Sequence, residues 1–340
     1  MGNQRIDTQK NSIAILGAGT WGTALARLFA VRGMDVTVWS ISAEEVETYT
    51  CTRRHPKLPG MQIPSNISFT TEINCVSGKD YVMFAVPSVF IRSTAQKAAP
   101  YVTPSQTVMT VAKGIEKETL LTMTEILHEV LPGNRIVALS GPTHAEEVAL
   151  DMPTTIVSAC EDMAAAEEVR RLFDGSCIRA YVNADVKGVE LSGALKNVIA
   201  LASGIAVGAG FGDNTRAAII TRGLAEIKRL GVAMGCREET FSGLAGIGDL
   251  VVTATSMHSR NNKCGMLIGQ GVPAAEAVKQ VGMVVEGLNA LDPALSLAEK
   301  HGVEMPVARA VKAVVDGRSA KEVAAALLSK PSSTGDFADR

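Results

Sequence analysis

The stretch SIAILGAGTWG, residues 12–22, decides the fold of the first half of the chain. Five residues typical of a buried strand run directly into the spacing G-x-G-x-x-G, and the helical segment Thr23–Val31 follows. In this setting Gly17 permits a tight turn, Gly19 lets the backbone approach a pyrophosphate, and Gly22 lets helix and strand pack closely. The helix N-terminus would add amide donors and partial positive charge. The stretch predicts a dinucleotide-binding loop, and the alternative is a plain strand-to-helix turn.

Seven more β-rich runs alternate with helical stretches as far as residue 183, which is typical of an α/β, doubly wound parallel sheet. Beyond residue 185 long Ala/Leu/Val segments predict an all-α domain. We therefore expect a dinucleotide-binding domain over residues 12–184, a helical substrate and catalytic domain over 185–330, and a polar tail over 331–340. The predicted strands are Ser12–Gly17, Asp35–Ser40, Asn66–Thr71, Tyr81–Val86, Thr107–Ala112, Arg135–Ser140, Thr154–Ala159 and Ile178–Val182, and the predicted helices include Val186–Val207, Thr215–Gly231, Ala274–Val281, Leu288–His301 and Ala320–Leu328.

The composition is that of an ordinary globular protein. Hydrophobic residues make up 46% of the 340 residues and charged residues 20%, which excludes a disordered chain, and a net charge of −2 gives no reason to expect a nucleic-acid partner. The longest weakly polar stretch, residues 198–212, is shorter than the roughly 20 apolar residues that span a bilayer. With no apolar signal-peptide core at the start, we expect a cytoplasmic protein without stable membrane insertion. The cysteines and histidines show no metal-ligand spacing, so we expect no metal.

The end of the second strand bears on which dinucleotide binds. An acidic side chain there would hold the ribose 2′-hydroxyl of NAD, and an arginine would accept the 2′-phosphate of NADP. Residues 39–42 read WSIS, with no acid before Glu44 and no arginine. Arg53 and Arg54 could serve from the Pro-rich loop that follows, or they could be solvated loop charges. The residues themselves leave NAD and NADP both open.

Two strand ends offer polar groups at the carboxyl edge of the sheet, where ligands of open parallel sheets bind. Lys113 follows the fifth strand, either as an ammonium in the crevice or as a surface lysine. The turn Gly141-Pro142-Thr143 follows the sixth strand and leads into a helix that could receive an anionic ligand, although Thr143 could simply cap that helix.

The second domain adds three candidates. Lys196 shares a helical stripe with small and apolar residues, which places it at a site or at a tight seam, and burial beside a second cation would lower its pKa toward that of a base. Asp249 ends a Gly-rich turn as a site carboxylate or as a helix cap. The run Ser259-Arg260-Asn261-Asn262 combines a helix start, a guanidinium and two amides, a set that suits a phosphate.

Together these segments resemble the NAD(P)-dependent glycerol-3-phosphate dehydrogenases of the bacterial type, in order and from about residue 12 to 330. The resemblance implies a Rossmann-type domain followed by a helical domain of the 6-phosphogluconate dehydrogenase C-terminal type. It also implies interconversion of dihydroxyacetone phosphate and sn-glycerol 3-phosphate with NAD or NADP, for phospholipid synthesis, by a homodimer. The segments that carry it are GAGTWGTALA, AVPS, AKGIE, LSGPTHAEEV, GVELSGALKNVIALASGIA, GDNTRAAIITRGLAEI, GLAGIGDL, SRN and VVEG.

The resemblance also assigns roles to residues. Lys196 matches the general base and acid, and Lys113 and Asp249 complete the catalytic set. Position 41 is Ile where the family often has Arg or His, which weakens the case for NADP, and position 143 is Thr where many members have Ser. The implied substrate contacts are Lys113, Gly141, Thr143, Lys196, Asp249, Ser259, Arg260 and Asn261, and the cofactor contacts are Gly17, Gly19, Thr20, Trp21, Gly22, Lys113, Ala145, Arg260, Val284 and Glu286.

Two other functions fit part of the pattern. A 3-hydroxyacid or 6-phosphogluconate-type dehydrogenase would share the domain order and the helix lysine, but the SRN and GLAGIGDL segments favour glycerol 3-phosphate. A non-catalytic nucleotide sensor would need only the first domain. The presence of Lys113, Lys196 and Asp249 argues against a sensor.

Overall fold

A single eight-stranded sheet forms the first domain of the computed structural model, which describes residues 11–328. All eight predicted strands are present, each with ends within two residues of the prediction. The predicted tail over residues 331–340 lies outside the described residues. The strands, in the sheet order β3-β2-β1-β4-β5-β6-β7-β8, are β1 (Ser12–Leu16), β2 (Asp35–Trp39), β3 (Ile67–Thr70), β4 (Tyr81–Phe84), β5 (Thr107–Thr110), β6 (Arg135–Ser140), β7 (Thr154–Ala159) and β8 (Ile178–Asn183).

The first six strands are parallel, and β7 pairs with β6 in the antiparallel sense before β8 runs parallel to β7. The segment between β6 and β7 contains a helix of four residues, α5 (Ala145–Val148). A parallel return needs a crossover of a dozen or more residues that packs on the sheet, and residues 141–153 only just reach that length and are mostly irregular, with no long helix to cover the sheet. The predicted fold class is confirmed, and this reversal is the one departure from a fully parallel sheet.

Helices cover both faces of the sheet. On one face Phe29 and Phe173 meet with ring centroids 5.5 Å apart, within a core that includes Ile13 and Val38. On the other face Ile91 and neighbouring apolar side chains pack on β4 and β5. The helices of this domain are α1 (Thr20–Ala30), α2 (Ala43–Thr52), α3 (Ile91–Ala98), α4 (Met123–Val130), α5 and α6 (Met163–Arg171), with short 3₁₀ turns at Ile73–Val76, Ser88–Phe90 and Ala99–Tyr101.

The second domain surrounds one long helix, α7 (Val186–Gly208), whose residues 188–206 are all buried. Every helix predicted for this domain is present. The helix α11, Arg260–Gly269, crosses α7 so closely that a Cβ on Gly204 would lie 2.1 Å from the carbonyl oxygen of Asn262. The remaining helices are α8 (Asp213–Ala233), α9 (Glu238–Phe241), α10 (Asp249–Thr255), α11 (Arg260–Gly269), α12 (Ala274–Val281), α13 (Glu286–Lys300), α14 (Pro306–Val315) and α15 (Ala320–Leu328), and a π-helical turn, Leu244–Gly248, precedes α10.

Among the described residues, α7 alone is long and apolar enough to cross a bilayer by length and composition. Of its most apolar part, 89% is buried inside the protein, as expected for the core helix of a globular domain. Helix α7 also connects the second domain to the first through hydrogen bonds. The carboxylate of Glu190 accepts hydrogen bonds from the Thr122 hydroxyl at 2.7 Å and the Thr124 backbone amide at 2.9 Å, both at the start of α4.

Candidate active site

Four neighbouring strands bring separate parts of the chain to one edge of the sheet. These strands are adjacent in the order β1-β4-β5-β6. The loop at Gly17 follows β1, Ala85 follows β4, Lys113 lies shortly after β5, and Gly141 follows β6. A Cβ placed on Gly114 would lie 2.3 Å from the Cβ of Ser88, so the turns after β4 and β5 touch. The sheet order therefore places the predicted dinucleotide loop beside the predicted lysine.

Three charged side chains meet where this edge faces α7 and α10, and we call Lys113, Lys196 and Asp249 the charge cluster. The two oxygens of Asp249 accept from different lysines, Oδ1 from Lys196 Nζ and Oδ2 from Lys113 Nζ, the latter at 2.6 Å. Lys113 also donates to the carbonyl of Gly141 at 3.1 Å. Thr253 Oγ1 accepts from Lys196 at 2.7 Å and donates to the backbone carbonyl of Asp249 at 2.7 Å.

Two members of the cluster, Lys196 and Asp249, are buried, whereas Lys113 is half-buried, and burial shifts the protonation of the first two. Asp249 is 0% exposed and Lys196 is 6% exposed. Burial and, to a smaller extent, the Lys113 ammonium lower the pKa of Lys196 to about 7, against the opposing effect of the Asp249 carboxylate. Burial favours the neutral acid of Asp249, but the two ammonium groups outweigh it and hold its pKa below the ordinary value. A lysine with a pKa near neutral can accept or donate a proton at physiological pH.

Buried polar atoms without a protein partner lie around this cluster. Among the described residues, Ser140 Oγ, Ser192 Oγ and His144 Nε2 are buried and unpaired. Ser140 Oγ lies 3.0 Å from the position that a Cβ on Gly193 would occupy, and the Lys113 side chain lies 3.4 Å from the same point. Burial, and then the Lys196 ammonium, lower the pKa of His144. These atoms add polar character to a site that already contains unbalanced positive charge.

The predicted phosphate-binding run forms the first turn of α11. Ser259 caps the helix by accepting from the Asn262 amide at 3.2 Å, and Arg260 is exposed at its first position. Asn261 lies inward, where its amide nitrogen donates to Asn197 Oδ1 at 2.9 Å and its oxygen accepts from the Gly287 amide at 2.8 Å. This turn is thereby anchored to α7 one residue from Lys196, and to the start of α13.

Glu286, predicted to contact the cofactor, forms a contact between the domains. Its carboxylate accepts from the Ser88 backbone amide at 3.0 Å and from the Ser88 hydroxyl at 2.5 Å. Val284, two residues earlier, is half-buried in the same segment. On the sheet side Thr143 Oγ1 donates to the Gly141 carbonyl at 3.3 Å, and Ala145 is buried at the start of α5. These four residues lie at or beside the carboxyl edge or its seam with α13.

The dinucleotide loop has the geometry that a pyrophosphate requires. Gly17 has φ +126°, and a Cβ there would lie 2.7 Å from the Ala85 carbonyl group. A Cβ on Gly22 would lie 2.1 Å from the Gly17 oxygen, whereas nothing lies within 4 Å of one on Gly19. Gly19 is exposed, Thr20 and Trp21 are half-buried, and no side chain caps the α1 N-terminus. The loop backbone therefore packs tightly at Gly17 and Gly22, while the space at Gly19 is free for a ligand. These residues fit NAD or NADP.

Two family models match almost the whole described chain. The N-terminal model of NAD-dependent glycerol-3-phosphate dehydrogenase matches residues 12–166, and the C-terminal model of the same enzyme matches residues 185–326. The chain belongs to the NAD-dependent glycerol-3-phosphate dehydrogenase family. The resemblance inferred from the sequence is confirmed, and with it the class of NAD(P)-dependent oxidoreductases that act on a CH–OH group.

Curated relatives and a solved structure agree with this family. The chain is 58% identical over 324 residues to a glycerol-3-phosphate dehydrogenase of Lactobacillus delbrueckii subsp. bulgaricus named for NAD(P)+, covering 93% of this chain and 96% of the relative. It is 48% identical over 319 residues to the enzyme of the same name from Agathobacter rectalis, covering 93% and 95%. The crystal structure of glycerol-3-phosphate dehydrogenase from Coxiella burnetii superposes with a TM-score of 0.90 at 34% identity, covering 94% of this chain and 99% of that one.

Three polar residues of this family member's site were missed by sequence reasoning. Thr253 lies one helical turn after Asp249, so their i, i+4 spacing on α10 was an available signal. Asn197 and Ser88 stand inside segments that carried the resemblance, but their partners Asn261 and Glu286 are 64 and 198 residues away. No local sequence pattern predicts hydrogen bonds between residues so far apart in the chain.

Proposed function

We propose that the chain reduces dihydroxyacetone phosphate to sn-glycerol 3-phosphate, and catalyses the reverse oxidation, with Lys196 as the group that moves the proton. The observation that carries this proposal is the buried charge cluster, located at the same sheet edge as a loop that fits NAD or NADP. Membership of the glycerol-3-phosphate dehydrogenase family supports the choice of substrate.

The proton transfer follows from the protonation of Lys196. NAD(P)H, when bound, supplies the hydride that reduces the C2 carbonyl. The Lys196 ammonium gives its proton to the C2 oxygen in reduction, and the amine takes the hydroxyl proton in oxidation. With a pKa of about 7, Lys196 has both forms available near neutral pH. Lys113 pairs with the same carboxylate, and its ammonium stabilises negative charge that develops on the C2 oxygen.

Asp249 and Thr253 direct the lysine. Lys196 Nζ has three hydrogens when charged, and Asp249 and Thr253 occupy two acceptor directions. The remaining direction is available to a substrate oxygen. Asp249 also offsets part of the repulsion between the two ammonium groups, because it accepts from both.

The substrate phosphate is assigned to the first turn of α11. Arg260 presents a guanidinium there beside backbone amides at a helix start, and the turn at Gly141 and Thr143 lies across the cluster. In this assignment Ser259 and Asn261 maintain the shape of the turn, since Ser259 caps it and both ends of the Asn261 amide are bonded to protein.

The wider setting is proposed from the resemblance to the bacterial type of the family. We assign the chain to the cytoplasm, to supply of the phospholipid backbone, and to a homodimer. Light scattering coupled to size-exclusion chromatography tests the dimer, and a mass of one chain, 35.7 kDa, would contradict it.

The reaction is tested by following the oxidation of NADH, and separately of NADPH, after adding dihydroxyacetone phosphate to the purified chain. Unphosphorylated dihydroxyacetone is the control, because it has the same carbonyl without the phosphate. Oxidation that depends on the phosphate supports the proposal. Turnover of a 3-hydroxyacid or of 6-phosphogluconate instead would support the related dehydrogenases, and cofactor binding without any turnover would support a nucleotide sensor.

A further inference from the structure

We propose that Glu45 makes this chain prefer NADH to NADPH. Glu45 lines a cleft beside the dinucleotide loop, at the position expected for the adenosine ribose. The inference rests on the proposed use of the dinucleotide loop. This cleft of about 340 Å³ opens beside that loop. We call it the β2 cleft, because the start of α2, a few residues after the end of β2, lines one side of it. The side chains and backbone that matter for the argument belong to Gly19, Thr20, Glu44, Glu45, His55 and Lys57.

The Glu45 carboxylate is held in place next to the strand end. Its Oε2 accepts from the Ser40 hydroxyl at 2.6 Å, and its backbone amide donates to Ser42 Oγ at 3.2 Å. Ser40 directly follows β2, where dinucleotide-binding sheets recognise the ribose of the adenosine. Glu45 is half-buried and Glu44, its neighbour, is exposed. A carboxylate oxygen is therefore positioned where a ribose 2′-hydroxyl could donate to it.

The cations that could receive a 2′-phosphate point elsewhere. Position 41 carries an isoleucine that is 77% exposed. The Arg53 guanidinium donates to the Ile67 carbonyl at 2.8 Å and lines a different cleft. Arg54 belongs to a backbone bridge with Gln62 and does not line the β2 cleft. The expectation that Arg53 or Arg54 serves a 2′-phosphate finds no support in this placement.

Two groups remain that could bring positive charge into the cleft. Burial lowers the pKa of His55, so its ring is neutral at physiological pH. The Lys57 ammonium already has a protein partner, because it donates to the Gly282 carbonyl at 3.5 Å. The lining thus contains the carboxylates of Glu44 and Glu45 against the single ammonium of Lys57.

This charge pattern discriminates between the two cofactors. A phosphate monoester carries between −1.5 and −2 charges at neutral pH, so the 2′-phosphate would meet like charge at Glu45. The 2′-hydroxyl of NADH would instead donate to that carboxylate. A hydrogen bond to a charged group contributes enough to change affinity about tenfold. We expect NADH to bind at least about tenfold more tightly than NADPH.

The test measures the Kd of NADH and of NADPH directly, by titrating the full-length chain without substrate and recording nicotinamide fluorescence. Glu45→Gln keeps an acceptor for Ser40 but removes the charge, and it is expected to bring the two Kd values within about threefold of each other. Ile41→Arg, which leaves Glu45 intact, should tighten NADPH binding selectively. Glu47→Gln is the matched control, because Glu47 is exposed on the same helix and does not line the cleft.

Equal Kd values for the original chain, tighter binding of NADPH, or an unchanged ratio in Glu45→Gln would each overturn the proposal. Thermal unfolding of each variant shows whether the fold is retained, and Ile41→Arg provides the independent result if Glu45→Gln does not fold. Turnover of dihydroxyacetone phosphate is measured in parallel. Turnover with equal Kd values refutes this inference alone, whereas a clear preference for NADH without turnover refutes only the proposed reaction.

Discussion

The charge cluster and the β2 cleft both use charged side chains, but they place them in different environments. The cluster joins three distant segments of the chain, because Lys113 and Lys196 both donate to Asp249, whose carboxylate is fully buried. Glu44 and Glu45 are neighbours on one helix at a cleft open to solvent. A buried charge that loses its partner is costly, whereas a charge near solvent is screened and can be exchanged. The comparison predicts large effects from substitutions in the cluster and moderate, selective effects in the cleft.

The largest effect is expected from Lys196→Ala. A positioned proton-transfer group contributes about 10²- to 10⁴-fold to a rate, so kcat should fall by that factor while KM changes little. Steady-state kinetics with dihydroxyacetone phosphate measure both constants. Lys187→Ala is the control on the same helix, because Lys187 is half-buried near the helix start, outside the charge cluster, and pairs with Glu125. A near-normal kcat in Lys196→Ala would remove the lysine from the mechanism.

Asp249→Asn should come next, with kcat reduced about 100-fold. Removing the carboxylate leaves two ammonium groups facing each other, so the pKa of Lys196 should fall below its value of about 7 and the fold should lose stability. The pH profile of kcat/KM and the Tm report these two changes. Asp213→Asn, at an exposed position, should alter neither. A profile that stays in place or moves to higher pH contradicts the role of Asp249.

Arg260→Ala tests whether this exposed guanidinium binds the substrate phosphate without taking part in the buried proton transfer. Loss of one charge-assisted contact to a phosphate should raise KM for dihydroxyacetone phosphate about tenfold and leave kcat within a few-fold. The residual activity on unphosphorylated dihydroxyacetone should not change. Lys279→Ala removes another exposed positive charge, on α12, and should leave KM unaltered. An unchanged KM in Arg260→Ala would exclude the phosphate role.

The effect of pH needs no substitution and is gradual, since it acts on the unmodified chain through the protonation of Lys196. Reduction needs the Lys196 ammonium, so its kcat/KM should fall about tenfold per pH unit above about pH 7. Oxidation needs the amine, so its kcat/KM should rise through the same region and then level off. Rates in both directions, measured at constant ionic strength, give the two profiles. Profiles that change in the same direction would show that another group controls the rate.

Much of the fold was predictable because it depends on local patterns. The eight strands, the Gly17–Gly22 loop and the central helix around Lys196 follow from hydrophobic periodicity and glycine spacing. The reversal at β7 was not predictable in this way, since strand direction depends on how the β6–β7 connection packs. The partners of Asn261 and Glu286 were equally hidden, because hydrogen bonds between side chains far apart in the chain leave no local signature.

The sequence by itself determined the two-domain order, the dinucleotide loop and the family, and it marked Lys113, Lys196 and Asp249 as candidates. Only the tertiary structure decided that the Asp249 carboxylate accepts hydrogen bonds from both lysines, since 53 and 136 residues separate it from these two partners. Burial then lowers the pKa of Lys196 to about 7, which no residue type shows alone. The physical reason is that protonation and hydrogen bonding depend on distance and solvent exposure, and these exist only once the chain has folded.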